Sequence, residues 1–220
     1  MFKDDLRSSV DVMVLPMTRA MSWLGITPDM VTFANFGVNL AAAFFLAKGR
    51  LIWAGILILF AGVLDHMDGA VARMTNRARP SGALLDSVID RYSEIVVFFG
   101  LLAYFYHLNS NYSFYGVCLV FLAISGSVLV SYIRARAEGL GIECKVGIMQ
   151  RLERICLITI GILAQGVFQS FYGKLQLQLQ FYGKLESEGL ILIIVFLILT
   201  IGTHLTAAHR LIFCYRQLNL

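Results

Sequence analysis

The chain has 220 residues, of which 58% are hydrophobic and 15% are charged, and its mean hydropathy is +0.74. This composition excludes an ordinary soluble domain. The net charge is +4, and no nucleic-acid partner is expected. The apolar residues come in continuous blocks of about 20, the length that a helix needs to cross a hydrocarbon core of about 30 Å. Because backbone in lipid must satisfy its own polar groups, these blocks predict an all-α integral membrane protein.

The predicted elements begin with an N-terminal amphipathic helix in the membrane interface, within residues 1–30. Residues 31–220 are predicted to form a transmembrane catalytic domain of six helices. The sizeable loop on the outer side is residues 171–188, which contain the imperfect repeat FYGKLQLQLQ and FYGKLESEGL. The six predicted spans are residues 31–47, 51–72, 83–106, 113–135, 149–170 and 189–213.

The basic residues predict the orientation of these spans. With a cytoplasmic N-terminus, the 18 Lys and Arg residues lie on the cytoplasmic side except for Lys48, Arg50, Lys174 and Lys184. An excess of Lys and Arg on the cytoplasmic side is the usual arrangement. We therefore predict a multi-pass protein of the cell (inner) membrane with its active site at the cytoplasmic side.

Two pairs of aspartates lie at the cytoplasmic ends of the second and third spans. Asp65 and Asp68 are spaced i, i+3, and Asp86 and Asp90 are spaced i, i+4, so each pair lies on one face of a helix. The short loop 74–81 makes the two helices antiparallel neighbours, which allows the pairs to face each other. Facing carboxylates require raised pKa values or bound cations. Oxygen-only ligands favour Mg²⁺ or Mn²⁺ over zinc, and two such ions can clamp a phosphoryl or pyrophosphate group.

Small and basic residues beside these aspartates suit a phosphate ligand. Gly82 lies on the same helical stripe as Asp86 and leaves room for a bulky ligand or a neighbouring helix. Gly69 directly follows Asp68 and removes a side chain beside the predicted metal. Arg73 can pair with a phosphate or with one of the aspartates.

The pattern D-x2-D-G-x2-A-R-x8-G-x3-D-x3-D runs from Asp65 to Asp90 and resembles the signature of the CDP-alcohol phosphotransferase (phosphatidyltransferase) family. The resemblance implies a homodimer that transfers a phosphoalcohol group from CDP-diacylglycerol, or an analogous CDP-lipid, to a hydroxyl acceptor and releases CMP. It also implies that Asp65, Asp68 and Asp86 bind the metals, and that Asp90 completes the site and is the general base. The segment 27–32 resembles the nucleotide-contacting segment of the family. The residues implied to bind the CDP-lipid are Asp29, Thr32, Gly69, Arg73, Arg79 and Gly82.

A second basic cluster follows the fourth predicted span. Ser131 and Arg134 share a helix face near the end of that span, where a cationic pocket suits a phosphorylated acceptor. The run YIRARAEGLGIECKVGIMQRLER resembles the same region in phosphatidylinositol-phosphate synthases and their archaeal-lipid relatives. That resemblance implies that Ser131, Arg134 and Arg154 bind the phosphate of inositol phosphate, and Arg210 could add a charge.

Other functions stay open at this point. Phosphatidylglycerophosphate synthases share a similar basic cluster and take glycerol phosphate as the acceptor. A membrane prenyltransferase also binds pyrophosphate through metals, but its first motif usually has Asp where this chain has Gly69, Ala72 and Arg73. A metal transporter needs ionisable groups near the bilayer midplane, whereas these acids lie near one surface. Because all four aspartates are present, a non-catalytic relative is not favoured.

Overall fold

The computed structural model describes residues 23, 25–74, 79–108, 112–178 and 189–219, with side chains except those of residues 66, 68–74 and 172–178. All regular structure in these residues is helical, which confirms the all-α prediction for them. The predicted interfacial helix lies outside the described residues apart from residue 23 and the end of the segment. The helices are α1 Pro28–Ala47, α2 Leu51–Met74, α3 Pro80–His107, α4 Ser113–Glu138, α5 Arg151–Gln178 and α6 Leu190–Leu218.

Helix α5 extends beyond the predicted span, which ends at residue 170. Helix α5 continues to Gln178, so residues 171–178, which were predicted to begin the outer loop, are helical. The reason is local, because the stretch from Lys174 to Gln178 contains only Leu, Gln and Lys, which favour helix, and no proline. The rest of the predicted loop lies outside the described residues.

Four of the described helices are long and apolar enough to cross a membrane, namely Pro28–Ala47, Ser113–Glu138, Arg151–Phe171 and Leu190–Leu218. A shorter apolar stretch covers Leu51–Asp65. Large apolar side chains such as Phe99, Phe121 and Trp53 lie on the outside of the helices, as lipid contact requires. The chain is therefore a multi-pass membrane protein.

The start of α1 is fixed by capping. The Thr27 hydroxyl oxygen accepts a hydrogen bond from the Met30 amide at 3.3 Å, as an N-cap residue does. Pro28 occupies the first helical position, where its lack of an N–H costs nothing. Asp29 in the first turn interacts favourably with the helix dipole. Capping therefore sets the position of the residues in the first turn.

The described residues fall into two compact units, and the division passes through α1, α2 and α3. The first unit lies within residues 1–42 and 57–96, and the second comprises residues 43–56 and 97–220. In the first unit, Leu64 and Met67 are buried and pack against Val38. This contact brings the middle of α1 beside the stretch of α2 that carries Asp65.

In the second unit, α6 packs against both α4 and α5. The Phe98 and Phe196 rings meet edge to face with centroids 5.9 Å apart. At the start of α6, the Ile191 amide donates a hydrogen bond to the side-chain oxygen of Gln165 at 3.1 Å. Gln165 is fully buried, so its carboxamide replaces an acceptor that the first turn of a helix lacks.

Candidate functional site

Three carboxylates converge in the first unit. One oxygen each of Asp65, Asp86 and Asp90 lies within 4.8 Å of the others. Asp65 and Asp86 are half-buried, and Asp90 is only 5% exposed. Helix α2 supplies the first side chain, and consecutive turns of α3 supply the other two. The side chain of Asp68, predicted to be the fourth member, lies outside the described residues.

This cluster fits a divalent cation. Carboxylates held this close repel one another, and a cation offsets that repulsion without protonating them. All the donor atoms are oxygens, which Mg²⁺ and Mn²⁺ prefer. The guanidinium of Arg91 is 3.8 Å from Asp90, but Arg91 is half-exposed and supplies a single charge beside the cluster.

An ion pair joins the start of α1 to the start of α3 in the same unit. Arg79 donates a hydrogen bond to the carboxylate of Asp29. A Cβ atom placed on Gly82 would lie 3.8 Å from Asp29 Oδ1 and 3.4 Å from Arg79 Cγ, so Gly82 borders this pair. Thr32 is buried, and its hydroxyl donates to the Pro28 carbonyl at 3.2 Å. Four of the residues expected to bind the CDP-lipid thus lie at one end of two helices.

The remaining two residues expected to bind the CDP-lipid are Gly69 and Arg73. Their positions in α2 are helical, but their side-chain surroundings lie outside the described residues.

Two residues that sequence reasoning missed are Asn35 and Asn39. Both are buried, at 3% and 7% exposure. The Asn39 amide nitrogen donates to the Asn35 carbonyl at 3.0 Å and to its side-chain oxygen at 3.1 Å. The available signal was the i, i+4 spacing of two carboxamides within an otherwise apolar span.

The second unit contains a cluster of arginines. Arg210 is 2% exposed and donates to the Val130 and Val146 carbonyls at 2.7 and 2.8 Å. Arg154 is 1% exposed and donates to the Met149 carbonyl at 3.2 Å. Arg154 and Arg210 both donate to the segment that joins α4 to α5, and Arg134 lies one turn beyond Val130 in α4. An anion bound here would offset the repulsion among them.

The other predicted members of the acceptor pocket are less buried. Ser131 is half-buried, and Arg134 is exposed and pairs with Glu138 at 2.8 Å. Sequence reasoning gave Arg210 less weight than Arg134, yet Arg210 is the more enclosed of the two in the structure. The burial of Arg210 is not evident from the sequence, because Arg210 lies in α6 and the basic run extends from the end of α4 to the start of α5.

The segment 139–150 connects α4 to α5 and packs against α6. The Met149 amide donates to the Thr206 hydroxyl at 3.1 Å, and the Val146 carbonyl accepts from Arg210. At the exposed tip, Lys145 lowers the pKa of the Glu143 carboxyl through a hydrogen bond and its charge. Because both side chains are well exposed, that pair belongs to the solvent-facing surface and not to the arginine cluster.

Gly147 is expected to be the most sensitive position of this segment. Its φ is +109°, and a Cβ atom there would lie 2.3 Å from Thr206 Cγ2. The Gly147→Ala substitution should therefore lower the free energy of unfolding by about 2 to 3 kcal/mol, measured by thermal unfolding in detergent. Gly141 is the matched control, because its φ is +78° with nothing within 4 Å. Gly141→Ala should lower the free energy of unfolding by about 1 kcal/mol. Equal losses in the two variants would show that the contact with Thr206 does not contribute to the effect at Gly147.

Comparison with known proteins identifies relatives of the chain. The family model described as CDP-alcohol phosphatidyltransferase matches residues 25–215. An archaetidylinositol phosphate synthase of Methanothermobacter thermautotrophicus is 40% identical over 141 residues, which cover 64% of this chain and 68% of that protein. Residues 25–215, which the family model matches, include both the aspartates and the arginine cluster.

Solved structures show the same fold. Mycobacterium tuberculosis phosphatidylinositol phosphate synthase with CDP-DAG bound has a TM-score of 0.76 and 27% identity, and the match covers 91% of this chain and 92% of that one. The same enzyme in complex with manganese and citrate has a TM-score of 0.76 and 25% identity, covering 91% and 88%.

Proposed function

The chain belongs to the CDP-alcohol phosphatidyltransferase family, and we propose that it transfers a phosphatidyl group from a CDP-linked lipid to a hydroxyl of inositol phosphate, releasing CMP. The observation that carries this proposal is the convergence of Asp65, Asp86 and Asp90 within 4.8 Å. A cluster of oxygen donors is what binding a diphosphate through divalent cations requires. Similarity to an archaetidylinositol phosphate synthase and to a phosphatidylinositol phosphate synthase supports inositol phosphate as the acceptor.

The proposed metal ligands are Asp65, Asp68, Asp86 and Asp90, and the proposed cofactors are two Mg²⁺ or Mn²⁺ ions. A divalent cation would supply positive charge that offsets the negative charge growing on the departing CMP. Manganese in a related structure supports this assignment. The protein contributes a group of carboxylates held in place by two helices.

Asp90 is the proposed general base. Its carboxylate would take the proton from the acceptor hydroxyl as the oxygen attacks the phosphorus of the lipid phosphate. The new O–P bond forms as the P–O bond to CMP breaks, and the electron pair leaves with CMP. Burial of Asp90 supports this role, because water around an enclosed base competes less with the acceptor.

The CDP part of the donor would bind at the starts of α1 and α3. Backbone N–H groups at a helix start attract phosphate, and Arg79 adds a guanidinium beside them. The lipid tails would stay in the bilayer. The proposed contacts are Asp29, Thr32, Gly69, Arg73, Arg79 and Gly82.

The acceptor's phosphate would bind to the arginine cluster of the second unit. Arg154 and Arg210 are buried and already oriented by backbone carbonyls, so little side-chain entropy is lost on binding. Ser131 and Arg134 would complete the pocket. A free polyol has no phosphate for this cluster, which favours a phosphorylated acceptor.

We further propose that all six helices span the cell (inner) membrane and that the active site faces the cytoplasm. The apolar stretch of α2 covers Leu51–Asp65, and α3 carries its charged residues Asp86, Asp90, Arg91 and Glu94 between residues 86 and 94. The distribution of Lys and Arg supports the orientation. A homodimer is proposed from the family resemblance.

The test is an acceptor panel. Purified enzyme with CDP-diacylglycerol and Mn²⁺ should release CMP with inositol phosphate, and not with inositol. Glycerol phosphate is the control for the second candidate, a phosphatidylglycerophosphate synthase, which the same arginine cluster would also suit. If CMP were released with glycerol phosphate and not with inositol phosphate, the acceptor would be glycerol phosphate. Release of pyrophosphate from a prenyl donor would instead identify a prenyltransferase, and metal uptake without lipid would identify a transporter.

A further inference from the structure

The buried face of α1 is polar in its first half and apolar in its second half. Asn35 and Asn39 lie on this face at 3% and 7% exposure, and Ala42 and Leu46 continue it at 0%. Carboxamides are costly to bury in a membrane helix unless their hydrogen-bonding groups are used. The polar half of the face belongs to the first unit, which also holds the carboxylate cluster.

The contact between α1 and α2 gives the position of the Asn pair relative to Asp65. Val38 packs against Leu64 and Met67, and Asp65 lies between these two residues in α2. Asn35 and Asn39 flank Val38 within one helical turn, so they are within about 5 Å of its level along the axis. The carboxamides are therefore level with the stretch of α2 that supplies Asp65.

The hydrogen bonds within the Asn pair determine which polar group of Asn39 is available to another partner. The Asn39 amide nitrogen donates to two oxygens of Asn35. This bonding fixes the Asn39 carboxamide and leaves its oxygen as an acceptor. Such an oxygen suits a water molecule, because Mg²⁺ and related ions keep several of their waters when bound to protein.

A buried hydroxyl on α3, near Asp90, also suits a water molecule or an ion. Ser93 is 5% exposed, and its oxygen has no hydrogen-bond partner within the described part of the chain. It lies one turn beyond Asp90 on the same helix. Buried polar groups that the protein leaves unsatisfied are usually satisfied by water or an ion.

We propose that Asn35 and Asn39 are positioning residues of the divalent-metal site, in which the Asn39 carboxamide oxygen accepts a hydrogen bond from a metal-bound water. This inference rests on the proposed function. The Asn35 side chain orients the Asn39 carboxamide, and the Asn39 oxygen orients the water. Groups in this outer position raise metal affinity without touching the ion.

The test measures Mn²⁺ binding to the full-length purified protein by electron paramagnetic resonance, with no lipid substrate present. Asn39→Leu should weaken Mn²⁺ binding about tenfold or more. Asn39→Asp keeps the oxygen acceptor and should retain the wild-type affinity or exceed it. If Asn39→Leu does not fold, Asn39→Ala carries the same expectation.

Gln165→Leu is the matched control, because it removes a fully buried carboxamide in the second unit. It should lower Tm and leave Mn²⁺ affinity unchanged. Wild-type Mn²⁺ affinity in Asn39→Leu would overturn the inference. Equal losses of Mn²⁺ affinity in Asn39→Leu and Asn39→Asp would also overturn it, because they would indicate that Asn39 acts in folding alone. Asp86→Asn separates the two proposals: if it leaves Mn²⁺ binding intact, the proposed metal site fails and the inference fails with it.

Discussion

Asp90→Asn is expected to reduce CMP release by about 10³-fold or more while CDP-lipid binding largely persists. The substitution keeps the shape of the side chain but removes its ability to take a proton, and general base catalysis contributes about 10² to 10⁴-fold. Loss of one proposed metal ligand adds to the effect. The measurement is CMP release at saturating inositol phosphate, combined with a direct binding assay for CDP-diacylglycerol.

The matched control is Glu94→Gln, one turn further along α3. Glu94 is half-buried, and the same carboxylate-to-amide change there should alter CMP release by less than about tenfold. Full activity in Asp90→Asn would show that the base assignment is wrong. If CDP-lipid binding were lost together with transfer, Asp90 would contribute mainly through the metal.

Most helix positions could be predicted from the sequence because their signals are local. Prolines at Pro28 and Pro80 begin two helices, where proline is favoured. Apolar blocks long enough to cross a membrane located the others. Helix α5 extends past its predicted end because the stretch after residue 170, although polar, consists largely of good helix formers.

The carboxylate cluster was also accessible from sequence, because spacing within a helix fixes which side chains share a face. Asp86 and Asp90 follow that rule directly, and a short connection placed Asp65 opposite them. The burial of Asn39 and Arg210 was harder to predict from the sequence. Burial depends on which helices are neighbours, and the contact between Arg210 and the Val146 carbonyl joins residues far apart in the chain.

Arg210→Met is expected to raise the KM for inositol phosphate about 10²-fold, with the KM for CDP-diacylglycerol little changed. A hydrogen bond to a charged group contributes about 1.5 to 3 kcal/mol, and 1.4 kcal/mol corresponds to a factor of about ten. Methionine keeps much of the side-chain volume in this buried position. The measurement is initial CMP release over a range of inositol phosphate concentrations at saturating CDP-diacylglycerol.

Arg136→Met is the matched control, because Arg136 is exposed in the last turn of α4 and lies outside the proposed pocket. It should leave both KM values within about threefold, since exposed charges contribute little. Arg210 also holds the Val130 and Val146 carbonyls, so a purely structural role would lower Tm and raise both KM values together. A selective rise in the KM for inositol phosphate separates phosphate binding from support of the fold.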